Sequence, residues 1–191
     1  MEIPLTNWIY MGPRFVAKGY CVFALTYRQN PKFPLLADKV DMLGHSQGSV
    51  MPRYRMKYLG GAAKIRKSAG IGSVQYGSTL VGIVPLAKAL GLFGPIKKII
   101  DPLCEACYQF ALNSTILNDL NEGGTLFLEL AIFLLPLNNN PRVHNQVLQD
   151  WCGIDIQGHV SVAYDPITWN GLHAYFTPSA DQKINCLDAF Q

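Results

Sequence analysis

Ser46 is the side chain in this sequence best placed to do chemistry, as the centre of Gly44-His45-Ser46-Gln47-Gly48. An apolar-leaning run suited to a short buried strand, Val40-Asp41-Met42-Leu43, feeds into the pentapeptide, and a helix-compatible segment at 50–59 follows. Gly-x-Ser-x-Gly between a strand and a helix is the sequence form of a nucleophile elbow. The serine occupies a tight, strained turn, and a side chain at Gly44 or Gly48 would collide with the flanking strand or helix. Such a turn lifts the Ser46 Oγ toward solvent at the carboxyl edge of a sheet. It also aims the N–H of Gln47, at the helix start, toward the place where an oxyanion develops. The pentapeptide alone is a weak signal, because an ordinary Gly/Ser turn reads the same way. The strand before it, the helix after it and a histidine further along strengthen it.

A serine nucleophile needs a base, and in strand-turn-helix hydrolases the histidine follows the serine in the chain. Gly158-His159 lies in a loop ahead of a helix-compatible run at 166–175. Of the other three histidines, His45 lies inside the elbow with its side chain directed away from Ser46, His144 sits in a strand-like run and His173 in the tail helix. Surface or core roles suit these three better than catalysis. The carboxylates late enough in the chain to orient the base are Asp119, Glu122, Glu129, Asp150 and Asp155, and none of them is singled out.

The elements that must position these groups are read from periodicity and turn residues. Residues 7–18 have helical spacing of apolar side chains (Trp8, Ile9, Met11, Phe15, Val16), broken by Gly12-Pro13 and stopped at Gly19. Residues 20–27 are aromatic, β-favouring and almost uncharged, which predicts a buried central strand. Between Tyr27 and Lys39 there is room only for a loop with Pro31 and Pro34, yet neighbouring parallel strands need a crossover of about a dozen residues. Further strands are expected at 63–71 and 143–149. Residues 74–92, apolar and glycine-rich, suit either a mobile cap over the serine or ordinary helix packing, and 96–120 reads as two short helices.

At 191 residues the chain is one domain, 1–191, long enough to bury a sizeable core. Hydrophobic content of 49% with 15% charged residues excludes disorder. A net charge of +3 without a Lys/Arg block gives no support for nucleic-acid binding. The nearest basic run, Lys64 to Lys67, reads as a solvated strand entry. Met1-Glu2-Ile3-Pro4 lacks the basic start and apolar core of a secretory signal. The longest apolar run, 126–137, carries Glu129 and is shorter than the roughly 20 residues of a membrane span. Five cysteines leave at least one unpaired if the rest form disulfides, and Cys104 and Cys107 could be half of a zinc site, a redox pair or a short-loop disulfide. No second Cys-x-x-Cys completes a zinc site, and neither a metal nor a cofactor is expected.

Beyond the pentapeptide, Met51-Pro52-Arg53-Tyr54, Lys57-Tyr58-Leu59-Gly60-Gly61-Ala62-Ala63-Lys64, Asn7-Trp8, Gly19-Tyr20-Cys21-Val22-Phe23 and Gly77-Ser78-Thr79-Leu80 extend a collinear pattern. Cys104-Glu105-Ala106-Cys107, Leu148 to Cys152 and Gly158-His159-Val160-Ser161-Val162-Ala163-Tyr164-Asp165-Pro166 complete it. The pattern resembles the secreted triacylglycerol lipases of the class 2, actinobacterial-type group. That resemblance implies an α/β-hydrolase fold, a mostly parallel sheet flanked by helices. It implies acyl transfer to a lipid ester in lipid catabolism, with Ser46 as nucleophile, His159 as base and the Gln47 N–H as oxyanion donor. It also implies structural disulfides, secretion and transient contact with a lipid interface.

Several family segments have no counterpart here. The crossover helix before the elbow strand, the Thr-Arg-Tyr-Asp-Glu-like motif that carries the triad aspartate and the upstream loop that gives the second oxyanion donor are not matched. At 125–137 stands a nearly continuous apolar run instead of the acid motif. Asp150 and Asp155 align with family positions that are not catalytic. Clean losses between matching blocks fit an incomplete reading of a gene, so the fold is expected to be incomplete. The alternative to an active hydrolase is an impaired or inactive lipase-like fragment lacking the acid and part of the oxyanion hole.

Overall fold

The computed structural model describes residues 5–24, 38–77, 89–92, 94–95, 109–112, 114–122, 129–132, 143–178 and 183–190. Four parallel strands form one sheet in chain order: β1 (Val40–His45), β2 (Ile65–Ile71), β3 (Glu129–Ile132) and β4 (Val143–Gln146). Helix α1 spans Met11–Ala17, α2 Gln47–Tyr58, α3 Thr115–Asn121, α4 Leu148–Trp151 and α5 Pro166–Phe176. The α/β class with parallel pairing is therefore present, on a small sheet.

Of the strand expected at 20–27, residues 20–24 do not join this sheet. Residues 20–24 have no ladder, and Val22 and Phe23 are 41% and 69% exposed; residues 25–27 lie outside the described set. Pro31 and Pro34 in the short stretch before Lys39 disfavour the helical crossover that parallel pairing with β1 requires. Tyr20 is used differently. Its ring packs edge-on against Phe15 and its hydroxyl is 2.7 Å from Thr177 Oγ1.

Within the apolar run at 125–137, Glu129–Ile132 form β3, which pairs with β2 through Ser68↔Glu129 to Ile71↔Ile132. Uninterrupted apolar sequence is what a strand between two parallel neighbours requires. Gly12-Pro13 do not break α1: the helix starts at Met11, so Pro13 sits in the first turn, where its missing N–H costs nothing. Gly19 stops the chain with φ 88°, and its N–H donates to Val16 O at 2.9 Å. The run at 143–149 divides into β4 and α4 rather than one strand.

Two clusters hold the sheet. Met11 and Phe15 of α1, Ala69 and Ile71 of β2, Leu148 of α4, Cys152, Val162 and Ile167, Leu172 and Phe176 of α5 form the larger. Val50, Leu117 and Leu120 form the smaller, where α2 meets α3. Lys57 of α2 caps the carboxyl end of α3, donating to Glu122 O at 2.6 Å and to the Asp119 carbonyl, a favourable place for a cation. The Lys64–Lys67 run is not simply solvated. Arg66 pairs with Asp41 across β1 and β2, and Lys67 Nζ donates to Tyr175 O at 2.5 Å.

A disulfide joins Cys152 to Cys186 with a sequence separation of 34, and Cys21 is free and exposed. Cys104 and Cys107 lie outside the described residues, as does most of the expected cap (78–88) and the first of the two short helices expected before α3. Among the described residues no helix is long and apolar enough to cross a membrane, and no group of three or more His, Cys, Asp or Glu could hold a metal ion.

Two stability outcomes follow from this packing. A Cβ at Gly171 would lie 2.1 Å from the Trp151 indole, so Gly171→Ala should lower unfolding stability by about 1–3 kcal/mol in urea titration. Reduction of Cys152–Cys186, or Cys152→Ser with Cys186→Ser, should lower it by about 3–4 kcal/mol, the loop-closure value for this separation. An unchanged midpoint after either change contradicts the packing described.

Candidate active site at the carboxyl edge of the sheet

The site begins where β1 ends. Ser46 has φ 55° and ψ −122°, the only positive φ at a non-glycine residue among those described. An L-residue in this region carries roughly 1–3 kcal/mol of strain and persists only where neighbours fix it. Here the fixing bonds are identifiable. The Ser46 N–H donates to Ile71 O on β2 at 2.9 Å, and its carbonyl accepts from the Ser49 N–H at 3.0 Å and the Ser49 hydroxyl at 2.5 Å. Since the Ser49 proton goes to Ser46 O, Ser73 must donate in the 2.7 Å contact between the Ser49 and Ser73 hydroxyls.

Close approach of α2 to the sheet is what the glycines allow. A Cβ on Gly44 would meet Gly48 O at 2.1 Å, and one on Gly70 would meet Ser49 Cβ at 2.8 Å. Pro52 inside α2 has no N–H to give Gly48 O, so that carbonyl lacks its usual partner four residues on and is the atom pressed against Gly44. Beneath the elbow, buried Arg53 donates to Gln75 Oε1 at 2.5 Å and to Asn121 Oδ1 at 2.9 Å. The Gln75 amide in turn donates to Ser49 O at 3.3 Å.

His159 reaches this serine from the other end of the chain. Its Nε2 lies 2.9 Å from Ser46 Oγ. The loop carrying it is closed by the Val162 N–H on Gly158 O at 3.0 Å and runs into a 3-10 turn, Ser161–Tyr164. Asp165 then caps α5, accepting from the Thr168 N–H at 2.5 Å, with Pro166 at the first helical position. Burial holds the His159 pKa below the usual imidazole value, with the neighbouring His45 adding to the shift. Burial raises the Asp165 carboxyl.

His159 Nδ1 faces Gly72, where a Cβ would lie 3.1 Å away. Gly72 has φ 54° at the end of β2 and was not singled out by sequence; a glycine closing a strand, where another group must approach, was the available signal. None of the described carboxylates hydrogen-bonds to His159. Asp119 and Glu122 lie at the end of α3, Asp150 is 3.5 Å from Gln146 Nε2, and Asp155 accepts from the Gln157 N–H at 2.8 Å. Glu129 belongs to β3.

Gln47 is the first residue of α2, so its N–H is among the unpaired amides of that helix start, next to Ser46. His144 and His173 take packing positions, against Tyr175 and stacked on Trp169 respectively. His45 lies beside His159: its Nε2 is 2.7 Å from His159 O, its Nδ1 is 3.2 Å from Asn7 Nδ2, and the two imidazole centroids are 5.2 Å apart. The alternating pattern of β1 places residue 45 opposite 44, but only the folded path of the 158–160 loop puts His159 there.

No protein-family model matches this sequence, and none of the curated proteins does. Among solved structures, the crystal structure of Aspergillus fumigatus lipase B is similar at a TM-score of 0.52 and 16% identity, over 78% of this chain and 39% of that one. The chain thus spans well under half the length of that lipase. At this identity the likeness is one of fold alone.

Proposed function

We propose that the chain is a serine carboxylic-ester hydrolase of the triacylglycerol-lipase kind, related to the class 2 secreted lipases. The observation that carries this reading is the 2.9 Å contact between Ser46 Oγ and His159 Nε2 on a strained elbow. In the mechanism, Ser46 Oγ attacks the ester carbonyl as His159 Nε2 takes its proton. The Gln47 N–H stabilises the oxyanion, and the imidazolium returns the proton to the departing alcohol. Water, deprotonated by His159, then releases the acid from Ser46. No metal or cofactor enters these steps.

Exposed apolar side chains in the segment that carries His159 suit an acyl chain. Ile156 and Val160, which flank His159, are 91% and 68% exposed. A disulfide of the Cys152–Cys186 type belongs to oxidising compartments, which supports secretion.

A second reading, an impaired lipase-like chain, is favoured by the lack of a carboxylate at His159 among the described residues. Loss of the orienting acid in related triads costs about 10⁴-fold in turnover. Absence of one oxyanion donor costs roughly a further 3–4 kcal/mol. Nucleophile and base would survive both losses, so the readings separate on turnover rather than on reactivity toward an irreversible probe.

A fluorophosphonate probe is expected to label the purified chain at Ser46, with Ser46→Ala unlabelled and His159→Ala slowed at least about 100-fold. Unlabelled folded chain overturns the hydrolase reading. Labelling without release of a short-chain p-nitrophenyl ester product assigns the impaired form. The labelling rate also has a defined pH dependence. Burial disfavours the imidazolium, so His159 remains a free base below the ordinary histidine value. Labelling should therefore be flat above about pH 7 and fall only through a midpoint below 6.5. A midpoint above 7 contradicts the buried base.

A further inference from the structure

We propose that His45, the residue preceding Ser46, is a positioning residue for His159: a neutral imidazole that ties the main chain of the base to the elbow. The inference rests on the reading of His159 as the base of Ser46. A carbonyl oxygen only accepts, so the 2.7 Å contact with His159 O requires a proton on His45 Nε2. The Asn7 amide nitrogen only donates, so the 3.2 Å contact requires a bare Nδ1. The two neighbours together select one neutral tautomer. A second proton would lose the Asn7 bond and place a cation beside the His159 ring.

The surroundings fit this task. Gly72 lies under both rings, with a would-be Cβ 3.1 Å from His159 Nδ1 and 3.4 Å from His45 Cδ2, so any side chain there would push the pair apart. Ser46 and His45 are consecutive and share the fixed backbone of the elbow. The path from Ser46 Oγ through His45 to His159 O, and back through His159 Nε2, is therefore a closed ring of short contacts. In a site where no described carboxylate orients the base through its ring, the base is instead held through its carbonyl.

Two measurements test the assignment. In chain carrying ¹⁵N-labelled histidine at about pH 8, the His45 signals should show hydrogen on Nε2 and none on Nδ1. A proton on Nδ1 overturns the assignment whether or not Ser46 reacts. Gln places an amide nitrogen where Nε2 lies, whereas Phe keeps only the ring. His45→Gln should therefore label with fluorophosphonate within about threefold of the parent, and His45→Phe roughly 10- to 100-fold more slowly. Equal rates for His45→Phe and the parent, at equal unfolding midpoints, overturn the proposal. An unlabelled parent removes the hydrolase reading, and the nitrogen signals then decide alone whether His45 holds His159.

Discussion

The backbone of Ser46 cannot relax to an ordinary conformation without breaking the junction of three elements. Its N–H belongs to the last rung between β1 and β2, where His45 pairs with Ile71, and its carbonyl belongs to the first turn of α2. Strain of this size is small beside a domain's gross burial energy, but it is local, so the bonds that resist it must be local too. That explains why polar groups are concentrated under the elbow. Ser49, Ser73, Gln75, Arg53 and Asn121 form one connected set of hydrogen bonds beside the apolar contact of α2 with α3.

His159 is positioned by different physics. No strand carries His159; its loop is bounded by the Cys152–Cys186 cross-link on one side and by the Asp165 cap of α5 on the other. Val162, Ala163 and Ile167 anchor it in the larger cluster. The Gly171–Trp151 contact sets how closely α5 lies against α4. The site is thus a rigid serine elbow meeting a histidine whose place depends on the packing of the carboxyl-terminal third.

The elbow was legible in the sequence because its constraint is local: glycines at fixed offsets, an apolar strand before and a helix after. His159 was legible through the likeness of its whole segment to a known family, since a Gly-His pair in a loop has no period of its own. At 20–24 the sequence misled because its composition describes burial, while strand pairing depends on a connection long enough to reach a partner. The opposite happened at 129–132, where part of an apolar run that matched no expected motif made a strand. Gly72 and the orientation of His45 were hidden for one reason. Each is defined by a residue more than 80 positions away in sequence, and nothing in their own neighbourhoods records it.

Separation along the chain also bears on how the site comes into being. Ser46 and His159 are 113 residues apart, whereas the β1-α2-β2 unit that strains the serine closes over 32 residues, from Val40 to Ile71. Loop-closure entropy and the ordering of distant contacts favour the short unit first. A refolding chain would then pass through a stage in which the elbow is formed and Ser46 has no histidine beside it. Appearance of the Ser46–His159 contact would therefore time the docking of the carboxyl-terminal third, a clock that starts only after the sheet has begun to pair.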